Sequence, residues 1–165
     1  MVVRRIIAGL LFIVAATGAA SAYDSPKALV EAIYQPYSSG AKHDDGLEKF
    51  YSARLKDLYA ANIERQTVDQ KGAAVDPDAP AMLAFDPFIE GQNSLLLDLV
   101  IGEPVMNGDR AVSTVSFHNF DHMSLISVSM VKEADGWKVD DVASMAGSQN
   151  WLLSWLLQYD PFSVN

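Results

Sequence analysis

The chain has 165 residues, 21 acidic against 12 Lys and Arg for a formal net charge of −9, and no cysteine. Without cysteine there are no disulfides, thiolate nucleophiles, iron–sulfur clusters or Cys-based zinc sites. The acidity sets the chain against phosphate backbones and anionic lipid surfaces, so nucleic acid is not an expected partner.

Residues 1–22 have the three parts of a secretory signal peptide. Arg4 and Arg5 form the basic start, Ile6 to Ala16 an uncharged apolar run, and Ala20-Ser21-Ala22 a small-x-small cleavage site. The apolar run is shorter than the roughly 20 residues a spanning helix needs, so cleavage before Tyr23 is expected, with no stable membrane span afterwards. A periplasmic or secreted location follows. Cleavage leaves residues 23–165 with 10 basic and 21 acidic side chains, a net charge of −11. A chain of that size buries enough surface to form one domain on its core alone.

Asp24-Ser25-Pro26 opens a first helix, since Ser or Asp caps and Pro suits the first turn. Leu29, Val30, Ile33, Tyr34 and Tyr37 follow at helical spacing, and Ser38-Ser39-Gly40 ends it. A second helix is expected from Asp45, with Glu48 three residues on as in a capping box, to about Lys71. Its apolar stripe is Leu47, Phe50, Tyr51, Leu55, Leu58 and Tyr59.

Residues 72–93 are irregular and carry Pro77, Pro80 and Pro87 beside Asp76, Asp78 and Asp86. A connection that long is usually functional or poorly ordered. Strands follow at Leu95 to Val105, Arg110 to His118, Met123 to Lys132 and Trp137 to Val142. Asn107-Gly108 signals a type I′ hairpin and Asp135-Gly136 another tight turn. The tail from Trp151 to Tyr159, with Ser148 as cap, reads as a helix apolar around nearly its whole circumference. Such a helix is buried or meets a partner. The layout is α+β: N-terminal helices on a curved four-stranded antiparallel meander, closed by a C-terminal helix.

Several segments resemble the bacterial family called domain of unknown function 3828. They are Tyr34-x-x-Tyr37, Phe50-Tyr51-Ser52 with Leu55 and Leu58, Asp86-Pro87-Phe88 to Gln92, and Gly136-Trp137-Lys138-Val139-Asp140-Asp141-Val142. The resemblance spans most of residues 25–146. It implies a cystatin-like, nuclear transport factor 2-like cone in an envelope protein, and it supplies no catalytic residues. Asn93 stands where that family tends to place an acid after the Gln.

The polar candidates are few. His118, Asp121 and His122 bracket a short turn and could hold a metal through imidazole and carboxylate. Asp76, Asp78 and Asp86 offer oxygens to calcium but lack EF-hand spacing, and Asp also serves turns. Asp86, Glu90 and Gln92 could face a ligand, with Asp86 and Glu90 as an acid–base pair. His43 is a further candidate base, and Asp98, among apolar residues, is the candidate buried carboxylate. Trp151 and Trp155 mark a candidate interaction surface, including a possible homodimer.

No nucleophile elbow, phosphate-binding glycine loop or cofactor motif occurs, so no cofactor is implied. The leading expectation is a non-enzymatic exported domain that binds a small molecule or a protein partner. The alternatives are an enzyme with a carboxylate or His in the cone pocket, and an inhibitor or immunity protein for a basic partner.

Overall fold

Three helices cover one face of an antiparallel sheet in the computed structural model, which describes residues 23–41, 43, 46–69, 86–146 and 150–159. The expected signal peptide, the Asp45 and Ser148 caps, and Asp76 and Asp78 lie outside those residues. No described helix is long and apolar enough to cross a membrane.

Helix α1, Pro26–Tyr34, begins as its sequence requires. Ser25 is extended and its Oγ accepts from Ala28 N at 3.1 Å, with Pro at the first helical position. Its buried side chains, Leu29, Val30, Ile33 and Tyr34, form one stripe against the sheet. A 3₁₀ turn, Tyr37–Ser39, follows, and Gly40 ends it at φ +72°.

The second helix starts later than its stripe suggests. Glu48–Phe50 is a separate 3₁₀ turn, and Tyr51 is then extended and bridged to Val139. Ser52 N donates to Val139 O at 2.8 Å, which stitches this kink to the sheet. The cap of α2, Ala53–Asp69, is therefore Ser52, whose buried Oγ accepts from Leu55 N at 3.1 Å. A nonlocal backbone pairing has won over local helical spacing.

The sheet has six strands where four were expected. The first expected strand divides into β1, Leu96–Ile101, and β2, Val105–Asn107, both of which pair with β3, Arg110–Asn119. Strands β4, His122–Glu133, and β5, Gly136–Ser144, continue in order, and Trp151–Leu152 adds a short β6 on the edge. Ala111, Ser113, Val115 and Phe117 all face the core, as the period of two requires, while Val112 and Thr114 point away.

The two glycine turns are hairpins with positive φ at glycine, shifted by one residue from expectation. Asn107 pairs with Arg110, so Gly108-Asp109 form the loop. Only Gly108 of these has positive φ, +59°, which is the type II′ pattern and not I′. Glu133 pairs with Gly136, so Ala134-Asp135 turn the chain and Gly136 follows at φ +113°.

The tail also departs from its expected form. Trp151 pairs with Ser144, and helix α3 is only Leu153–Gln158. Asp141 of β5 starts that helix by accepting from Ser154 N at 3.0 Å. Leu153 and Leu157 enter the core, whereas Trp155 is 49% exposed, so the helix is not buried all round. Asn62 Nδ2 donates to Leu157 O at 3.1 Å and ties α3 to α2.

The core thus lies between the helices and one sheet face, with Phe50, Tyr51, Phe88, Phe117, Trp137 and Val139 at its centre. The other face carries no described helix and exposes Leu97, Val100, Val105, Val112 and Met123.

Candidate functional site

The two ends of the sheet differ in charge. At one end Asp140 is the extra residue of a bulge, since Met130 pairs with Val139 and Ser129 with Asp141. The bulge brings its carboxylate to Ser52 Oγ at 2.9 Å, Arg54 Nε at 3.0 Å and Arg110 Nη1 at 3.2 Å. Burial alone would raise the Asp140 pKa, but hydrogen bonds from Arg54 and Ser52, with the cationic charge, bring it below the usual value. This cluster fixes the start of α2 to β5 and is an anchor.

The opposite end is built from residues 86–101 and 115–126, which contain no Lys or Arg. Asn119 organises it. Its Oδ1 accepts from Leu95 N at 3.0 Å, and its Nδ2 donates to Ile89 O at 3.0 Å and Asn93 O at 3.1 Å. The 86–93 segment is thereby held across the ends of β1 and β3. Asp86 closes the segment as a turn: its N–H donates to Gly91 O at 3.0 Å and its Oδ1 accepts from Phe88 N at 2.9 Å.

Tyrosines surround this turn. Tyr37 donates to Asp86 Oδ2, and Tyr34 donates to Phe88 O at 2.8 Å. Tyr51 and Tyr59 stack at 5.1 Å with their hydroxyls 3.4 Å apart. Burial raises the pKa of all four phenols, and the Asp86 charge raises each further. They are neutral hydrogen-bonding groups at ordinary pH.

Two sets of anomalies gather at this end. The described non-glycine residues with positive φ are Glu90 (+52°), Asp98 (+54°) and Phe120 (+57°). Glu90 sits in the turn held by Asn119, Asp98 in the β1 bulge opposite Phe117, and Phe120 in the β3–β4 turn. Left-handed backbone costs a non-glycine residue about 1–2 kcal/mol, and such residues concentrate at functional sites. The second set is Glu90 Oε2, Ser124 Oγ and Ser144 Oγ, which are buried without a hydrogen-bond partner. Ser124 lies opposite Phe117 and Ser144 opposite Ile126, so both belong to the core face, on neighbouring strands. A buried polar atom left unpaired costs about 1–3 kcal/mol, so native proteins keep few of them.

The sequence candidates separate on this frame. Asp86 and Glu90 come together in one turn, and the Glu90 charge reaches the Tyr34 phenol. Gln92 is exposed just beyond it. Asp98 is not buried: its side chain is 84% exposed and lies 3.6 Å from His118 Nδ1. The bulge, absent from a simple alternation, turns it outward. His118 and His122 do not face each other. His118 pairs with Met123 on the uncovered face and His122 with Asn119 on the other, because neighbouring strand residues alternate. Asp121 is exposed at the tip, and no group of three or more potential metal ligands forms among the described residues.

His43 is not at this site either; it packs edge-on against Tyr37 and Phe50, with Nε2 2.8 Å from Ile33 O. Trp151 and Trp155 line an open groove of about 510 Å³ with Met145 and Leu152, on the β6 edge. Ser124, Ser144, Asn119 and the tyrosines were not among the site candidates named from sequence. The serines had a signal: each falls in phase with core-facing Ile126, Val128 or Val142.

Comparison with known proteins gives no match to a family model, a curated protein or a solved structure.

Proposed function

We propose that this chain is an exported, non-enzymatic binding domain with a cone of the nuclear transport factor 2-like type, and that it takes a small polar molecule at the Glu90, Ser124 and Ser144 end of its sheet. The observation that carries this reading is the set of three buried polar atoms without hydrogen-bond partners, one in the 86–93 turn and two on the neighbouring strands β4 and β5. A bound molecule that supplies those partners removes their cost. The strained backbone at Glu90 fits a site shaped for a ligand at the expense of stability. Asp86 is held by Tyr37 and Phe88 N, which suits a shaping role. A protein partner is the second reading, favoured by Phe120, which is 52% exposed at the tip of a strained turn.

The exported protein is expected to begin at Tyr23 by intact mass. Replacing Ser124 and Ser144 by Ala together should stabilise the free protein by about 1–2 kcal/mol, because the orphaned hydroxyls are gone. A small-molecule filtrate of the native envelope should raise the melting temperature of the wild type and not of that double variant. A variant that loses stability, with both proteins answering the filtrate alike, refutes the site. A response confined to the macromolecular fraction and abolished by Phe120→Ala favours the protein partner.

A further inference from the structure

We infer that two copies of this chain pair, face to face and about a two-fold axis, through the sheet face that carries no described helix. The inference stands apart from the ligand reading above, which uses the core face. Strand register lays out the outer face, because residues directly opposite each other on antiparallel strands share a side. His118 lies between Leu97 and Met123, and Ser116 between Val100 and Leu125. Thr114 meets Ser127 in the next row, which Ala143 and Leu152 continue to the β6 edge. In the last row Val112 lies between Val105 and Ser129, followed by Asp141. Asp141 is the one carboxylate in these rows, and it is taken up by Ser154 N at 3.0 Å and Arg54 Nη2 at 3.7 Å. The middle of the face is therefore small and uncharged. At the β6 edge Ser127, Ala143 and Leu152 open into the groove of about 510 Å³ that Met145 and Trp155 also line.

Area and charge together select a second copy as the occupant. Leu97, Val100, Val105, Val112 and Met123, with Met145, Leu152 and Trp155 at the groove, are each 43–75% exposed. At full areas of about 150–250 Å² per side chain, those fractions amount to roughly 750 Å² of apolar surface. The largest apolar patch of a typical monomer is only about 300–600 Å², whereas a dimer of standard size buries about 800 Å² per copy. Two chains as acidic as this one repel, so they associate only where charge is sparse, as it is in these rows. A basic partner finds little to pair with on the same surface. Serine and threonine hydroxyls both donate and accept, so Thr114, Ser116, Ser127 and Ser129 can bond to their own kind across the axis. A symmetric interface requires that self-complementarity. An axis parallel to β4 lays the Val100 and Val105 edge of one copy over the Trp155 groove of the other, so each copy fills the hollow of its partner.

The test is the mass of the purified exported protein, by sedimentation velocity and light scattering, over a dilution series reaching about 100 µM. Twice the chain mass is expected at the top of the series, with dissociation on dilution and a melting temperature that rises with concentration. Acrylamide quenching of tryptophan should fall as the dimer forms, because Trp155 is half exposed in the single chain and Trp137 is already buried. Val112→Glu and Ser127→Arg each bring like charges together across the axis and should weaken association by about a hundredfold or more. Neither residue belongs to the core, so both variants should still unfold cooperatively, with a melting temperature that no longer depends on concentration. Ala60→Glu adds an acidic charge on exposed α2 surface and should leave the dimer intact. A wild type that keeps the single-chain mass throughout the series overturns the inference. A dimer that survives Val112→Glu and Ser127→Arg, or forms with no change in quenching, pairs through another surface and overturns it as well. An unlike chain held at this face, and released by Val112→Glu, overturns the second copy as its occupant.

Discussion

Asp140→Asn isolates the ion cluster that anchors α2 to β5. Asparagine keeps the shape and an acceptor oxygen for buried Ser52 Oγ, which lies 2.9 Å from Asp140 Oδ1, but it removes the charge that Arg54 and Arg110 meet. Hydrogen bonds to a charged group contribute about 1.5–3 kcal/mol when well formed. The Arg54 and Arg110 side chains are 48% and 67% exposed, so solvent screens both pairs and rehydrates both cations in the variant. The expected loss at pH 7 is therefore about 1–2 kcal/mol, between the buried and surface scales. Its pH dependence has a definite sign. The folded pKa of Asp140 is lowered, so its stabilisation is present above the unfolded value of about 4 and is lost as pH falls through the folded one. Asparagine does not titrate. Urea unfolding of both proteins between neutral and strongly acidic pH should show the wild-type advantage closing only below about pH 4. An advantage that is absent at pH 7, or that persists unchanged in acid, refutes the assignment of the cluster.

Leu157 is fully buried and Trp155 is half exposed, so Leu157→Ala should cost about 2–5 kcal/mol and Trp155→Ala under about 1.5 kcal/mol in urea unfolding; the reverse order would place α3 in the wrong rotation. Phe120→Gly should leave the free protein as stable or up to about 1 kcal/mol more stable, since relief of left-handed strain exceeds the added chain entropy; a clear loss in thermal unfolding would show that Phe120 packs in the folded state.

Local chemistry was legible in the sequence wherever neighbours along the chain decide the outcome. Ser25-Pro26 could begin a helix and little else, and Gly108 and Gly136 stand where hairpins need positive φ. The alternation of β3 set which side chains enter the core, because strand residues point to opposite faces in strict turn. Residues decided by distant partners were not legible. The run Phe50-Tyr51-Ser52 has helical spacing, yet the bridge from Tyr51 to Val139 breaks it and makes Ser52 the cap. Trp155 has the apolarity of a core residue, but the pairing of Trp151 with Ser144 sets the helix phase and turns Trp155 outward. Bulges had the largest effect on the candidate sites: a single extra residue swung Asp98 into solvent and Asp140 onto two arginines. The sequence by itself determined the inventory at the sheet end built from residues 86–101 and 115–126, an acidic set of segments without Lys or Arg. Only the tertiary structure decided that Glu90 Oε2, Ser124 Oγ and Ser144 Oγ are buried without hydrogen-bond partners, because burial and register are properties of contacts between segments far apart in the chain.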